Sequence, residues 1–138
     1  MKREILFRGR TIEGKEWVVG FLAVYSSTPF IGAPNSQGTT LWFAVDSETV
    51  GQFTGLTDKN GKKIFEGDII RAKIEGGNHN GFAWPNMPVD FQQGAFCLND
   101  RNGYIFCVLG AFAPSVTLEV IGNTHDNPEL LEGGVDNG

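Results

Sequence analysis

The stretch Gly55-Leu-Thr-Asp-Lys-Asn-Gly-Lys-Lys-Ile-Phe-Glu-Gly-Asp-Ile-Ile70 decides how this chain folds. Asn60-Gly61 tolerates the left-handed backbone of a tight hairpin, so Asp58-Lys-Asn-Gly61 reads as a turn joining two strands. Gly67-Asp68 then interrupts the apolar segments Ile64-Phe65 and Ile69 to Ile74. The expectation is that Gly67 takes an unusual backbone angle while Asp68 accepts hydrogen bonds from nearby backbone amides. Glu66 and Asp68, two apart on an extended strand, would face the same side and invite a metal or acid/base role. Two acids form at most half of such a site, and no His or third acid stands near them in sequence. This is folding chemistry, and no catalytic or cofactor motif accompanies it anywhere in the chain.

Strands are predicted on both sides of this segment. Glu4 to Arg8 alternates, with Ile5 and Phe7 on one face. Trp17 to Tyr25 is a near-continuous apolar run rich in β-branched and aromatic residues, and Gly20 within it marks a bulge or a close backbone contact. Ser26 to Thr39, with two prolines and two glycines, reads as a loop. Thr40 to Val45 and Val50 to Gly55 are further strands. Gly76 to Pro88 is a second irregular region. Val89 to Gln92, Ala95 to Leu98, Tyr104 to Leu109 and Val116 to Ile121 complete the strands, with Asn99–Gly103 as a hairpin loop. Asn127-Pro-Glu-Leu-Leu131 has the form of a helix start, Asn127 as N-cap and Pro128 at the first helical position.

Composition agrees with an all-β chain. Nineteen glycines supply turns, and eleven phenylalanines with Val and Ile suit half-buried pleated surfaces. The net charge of −5 is uneven. Residues 1–75 carry ten basic and nine acidic side chains, a balance of +1, and the remainder sets Arg101 alone against seven acids, a balance of −6. This argues against a nonspecific polyanion binder. No apolar run is long enough to span a bilayer, and the start Met1-Lys-Arg-Glu-Ile lacks the apolar stretch of a secretory signal. A cytoplasmic protein with reduced thiols follows, with no membrane partner. Cys97 and Cys107 flank a hairpin loop, where a one-residue change of register decides whether they face each other.

Candidate interaction residues lie in the irregular regions. Phe82, Trp84, Met87 and Phe91 form a binding patch if exposed, or fold back to cap a core. Phe30 and Ile31 pose the same question for the other loop. Lys59, Lys62, Lys63, Arg71 and Lys73 suit phosphate contacts, although such lysines more often keep a hairpin edge soluble. His79 and His125 each lack a spaced partner, so neither makes a metal or acid/base site by itself. An enzyme built on Glu66, Asp68, His79 or His125 is therefore the weakest of three readings. It stands behind a binding protein and a nucleic-acid-binding module.

Three blocks in order carry a family resemblance: Arg3-Glu-Ile-Leu-Phe-Arg8, Phe53 through Ile70, and Glu119-Val-Ile-Gly-Asn-Thr-His-Asp-Asn-Pro-Glu-Leu-Leu131. Together they resemble the YopX family of phage and prophage proteins. The resemblance implies an all-β chain whose later part is an SH3-like barrel or roll. It implies homo-oligomers and a bacterial host cytoplasm and brings no catalytic residues to carry over; no cofactor is expected. The expected organisation is an N-terminal β subdomain over residues 1–56, the SH3-like subdomain with a C-terminal turn over 57–132, and a flexible tail at 133–138. A host or phage protein is a further possible partner.

Overall fold

The computed structural model describes residues 3–132. Nearly all of its regular structure is strand, in two compact units divided after Gly55. The all-β expectation holds, and the expected tail at 133–138 lies outside the described residues.

The first unit contains β1 (Phe7–Arg10), β2 (Trp17–Tyr25), β3 (Thr28–Pro34), β4 (Thr40–Ala44) and β5 (Gly51–Thr57), which crosses the division. Their order across the sheet is β4-β3-β2-β1-β5. Beyond β4, Ile12 N–H donates to Ala44 O at 3.0 Å and Asp46 N–H donates to Arg10 O at 2.9 Å, so the ends of β1 and β4 meet. Thr49 secures this junction: its hydroxyl accepts from Arg10 N at 2.8 Å and donates to Asp46 O at 2.6 Å. Gly20 is a close contact as expected, because a Cβ there would collide with the Gly32 carbonyl oxygen.

The main correction is β3. Ser26 to Thr39 is largely strand rather than loop, paired with β2 from Phe21↔Gly32 to Tyr25↔Thr28 and with β4 from Phe30↔Ala44 to Pro34↔Thr40. The β2–β3 turn is made by Ser26 and Ser27, at φ +49° and +66°. Two consecutive positive φ values are the signature of a two-residue hairpin, normally written with Asn and Gly. The first strand also begins later than expected and runs on through Gly9 and Arg10.

The second unit contains β6 (Lys63–Phe65), β7 (Asp68–Ile74), β8 (Met87–Gln92), β9 (Ala95–Asn99), β10 (Ile105–Val108) and β11 (Val116–Asn123). The last five form a sheet in the order β10-β9-β8-β7-β11. Its core holds Ile64, Ile70, Met87, Val89, Leu98 and Leu109, with Trp84, Phe96, Phe112, Leu118 and Val120 packed against them. The segment that opened the sequence reading behaves as read. Asp58 Oδ1 accepts from Asn60 N at 2.8 Å and Lys62 N at 2.9 Å, closing the turn. Gly67 sits at φ +94°, and Asp68 Oδ2 accepts from Phe65 N at 2.7 Å with the residue 1% exposed.

Gly67 is held from both sides, donating to Val89 O at 2.9 Å while its carbonyl accepts from Thr124 N at 2.8 Å. Its left-handed backbone cannot relax without breaking both bonds. Gly67→Ala is therefore expected to cost about 1–2 kcal/mol, read as a lower urea midpoint with an unchanged slope.

The chain ends in a short 3-10 turn, Pro128–Leu131, preceded by Asn127. Asn127 holds the N-cap position with Pro128 after it, as expected, but its side chain makes no capping hydrogen bond. Its Oδ1 instead accepts from Asn123 N at 3.2 Å, where a Cβ on Gly122 would fall 2.6 Å from the same oxygen. Among the described residues no helix is long and apolar enough to cross a membrane.

Candidate functional site

Alternation along β2 puts Trp17, Val19, Phe21, Ala23 and Tyr25 on one face. The register adds Phe30 and Gly32 from β3 and Trp42 and Ala44 from β4 to that face. Trp42 lies over Gly32, for a Cβ on Gly32 would come within 2.7 Å of its ring atoms Cη2 and Cζ3. Glycine at 32 is what lets an indole lie flat on the sheet. The face is open: Tyr25 is 76% exposed, Phe21 53% and Trp42 51%. Ala23, Tyr25, Phe30 and Trp42 line a shallow apolar hollow of about 220 Å³.

No Asp, Glu, Lys, Arg or His occurs from Trp17 through Val45, the whole span of β2, β3 and β4. Edge strands usually carry charge that discourages pairing, yet β4 is the last strand in its sheet order and carries none. The nearest cations mark the limit of the face. Arg8 and Arg10 on β1 hold their guanidinium carbons 4.8 Å and 6.0 Å from the Trp17 ring centroid.

Of the residues expected to form an interaction surface, Phe30 belongs to this face. Ile31, its neighbour, points the other way and is fully buried, so it is core and not surface. Met87 is also core, at 3% exposure. Trp84 N–H donates to Ala72 O at 3.0 Å and Phe82 O accepts from Ile74 N at 2.8 Å, folding this irregular segment back along β7. There Trp84 gathers Phe82, Phe112 and Phe106 edge-on, at centroid distances of 5.2, 6.0 and 6.4 Å. Phe82 and Phe91 remain half exposed. Sequence reasoning missed Phe21, Tyr25 and Trp42, because hydrophobic residues inside a strand read as core. The signal that marks them is the missing charge.

Two of the five basic residues, Lys59 and Arg71, share one acidic partner. Glu119 Oε1 lies 3.9 Å from Lys59 Nζ and 4.0 Å from Arg71 Nη1, so one carboxylate serves two of them. Among the described residues no three His, Cys, Asp or Glu side chains cluster as a metal site. His79 is exposed, and His125 is exposed with its N–H donating to Asn123 Oδ1 at 3.0 Å.

Half-buried Asp90 joins a small polar network, its Oδ2 accepting from Asn99 Nδ2 and Gln92 Nε2, each at 3.0 Å. Burial pushes its pKa up, but donors from Asn99, Gln92 and the Phe91 N–H outweigh this and leave it below the ordinary value. Cys97 is fully buried, and burial together with the nearby Asp90 charge raises its thiol pKa. Cys97 pairs with Val108 and Cys107 with Leu98, one position out of step, and both thiols are free. This network has the character of structure, not of a reactive nucleophile.

Comparison with known proteins adds the lineage. The crystal structure of protein EF1440 from Enterococcus faecalis is similar over 95% of this chain and 100% of its own, at 26% identity and a TM-score of 0.58. No curated protein matches the sequence. The model of the YopX protein family matches residues 25–132, a span that includes the hairpin at Asp58, the Gly67-Asp68 kink and the closing Asn123–Leu131 segment. With most of its length matched, the chain belongs to the YopX family.

Proposed function

We propose that this protein works by binding rather than catalysis, and that its first partner is another copy of itself. The observation that carries the reading is the exposed, charge-free face of β2, β3 and β4. An apolar surface of this kind loses free energy in water and gains it when covered. A second copy suits it better than a charged partner does, since two identical faces without charge meet with no repulsion. Membership of the YopX family and likeness to a bacterial protein support a product of phage or prophage genes acting in the bacterial cytoplasm.

The test is light scattering on the intact chain during size-exclusion chromatography, from about 1 to 100 µM. A molar mass at a whole multiple of 15.0 kDa supports the reading. A single 15.0 kDa species at every concentration rejects it.

A further inference from the structure

A second opening lies wholly within the second unit and does not depend on self-association. It encloses about 540 Å³ between the Pro85–Pro88 segment, the Asn99–Gly103 turn, Phe106 of β10 and Leu131 of the closing 3-10 turn. That volume is in the range of small-molecule sites.

Hydrogen bonds set its walls in advance. Asn86 Nδ2 donates to Leu130 O at 2.9 Å, tying the closing turn to the start of β8. Asp100 Oδ1 accepts from Asn102 N at 2.9 Å and Tyr104 N at 3.0 Å, so one carboxylate oxygen is spent on its own turn. Gln92 Nε2 donates to Gly103 O at 3.3 Å and fixes the far side of that turn. Walls fixed before a ligand arrives reduce the entropy lost on binding. Asn86 Oδ1 is enclosed and receives no hydrogen bond among the described residues.

The chemistry of the lining selects the guest. Pro85, Met87, Pro88, Phe106 and Leu131 present carbon, and Arg101 presents the one cation. Among the described residues no carboxylate pairs with Arg101, which is exposed at the tip of the turn. A guanidinium matches the two oxygens of a carboxylate with parallel N–H donors. Asp100 also lines the cavity and offsets the charge of Arg101, so the guest is held by the paired N–H donors of the guanidinium and not by a net positive field.

We propose that this cavity binds a small organic carboxylate with an apolar body, its charged end on Arg101 and its body against Met87, Phe106 and Leu131. The body is aliphatic or aromatic, and the test separates the two. Intact, isotope-labelled protein is titrated with octanoate, 3-phenylpropanoate and 1-octanol to about 1 mM, with backbone amide signals followed by NMR.

The expected result is a saturable shift at Met87, Arg101, Phe106 and Leu131 with at least one of the carboxylates. The tighter carboxylate identifies the body. Octanol should bind at least tenfold more weakly than octanoate, and Arg101→Gln should weaken carboxylate binding at least tenfold. No shift at these amides with either acid overturns the proposal. So does equal binding of octanol and octanoate, a comparison that needs no variant, or full binding by Arg101→Gln.

Discussion

Asp58→Ala is expected to destabilise the second unit by about 3 kcal/mol, lowering its thermal midpoint by on the order of 10 °C. The residue is 7% exposed, and its two oxygens do separate work. Oδ1 closes the turn through Asn60 N and Lys62 N, while Oδ2 accepts from Val120 N at 3.0 Å, reaching β11 sixty-two positions away. Removing the carboxylate strands three backbone donors, each worth roughly 1 kcal/mol or more where water cannot replace the acceptor. Asp58→Asn separates the two roles. Its amide oxygen still serves the turn, but its NH2 faces the Val120 donor, so about half the loss is expected.

The pH dependence gives the same prediction a sign. Burial works to raise the Asp58 pKa, but the Val120, Lys62 and Asn60 N–H donors and the Lys62 charge outweigh it and hold the group below its ordinary value. A depressed carboxylate stabilises the fold above its unfolded pKa, about 3.9, and loses that contribution as pH falls through the folded pKa. The stability gap between wild type and Asp58→Ala is therefore full at neutral pH and narrows as the solution is acidified below about pH 4. Urea titrations of both proteins across that range measure it. A gap unchanged at low pH would show that the ionised carboxylate is not what binds the turn to β11.

That hairpin was legible in the sequence because its chemistry is local. Asn60-Gly61 names the turn and Gly67-Asp68 names the kink, and in each a carboxylate accepts from backbone N–H groups within four positions. The bond from Asp58 to Val120 was not legible, since nothing local distinguishes an Asp that closes only its own turn from one that also holds a distant strand. β3 escaped for a related reason. Its turn is Ser26-Ser27, which lacks the Gly or Asn that announces positive φ, and Pro29 and Pro34 read as breakers. Both prolines lie near the strand ends, and Pro29 still uses its carbonyl to accept from Val45 N at 3.0 Å. Hydrophobic pattern likewise identified Phe30 and Ile31 as a pair worth attention. Only the register assigns Phe30 to the open face and Ile31 to the core.

Trp42→Lys is expected to weaken self-association about a hundredfold, close to 2.7 kcal/mol. Trp42 shares the charge-free face with Trp17 and lines its hollow with Ala23, Tyr25 and Phe30. Half its surface is exposed, so an assembly through this face buries a large part of the indole. A lysine there brings one like charge to each copy, and two such charges at a shared interface repel where none did before. Because the indole also covers Gly32, its loss exposes backbone, and a fall in mass alone would not separate weaker assembly from weaker folding. Tyr25→Lys resolves this. Tyr25 is 76% exposed and near the end of β2, so its replacement leaves the isolated chain intact while charging the same face. Sedimentation of both variants should show the single-chain mass at concentrations where the wild type is assembled, with far-ultraviolet spectra unchanged for Tyr25→Lys. An oligomer of undiminished mass in both variants would place the contact elsewhere and leave this face without its assigned partner.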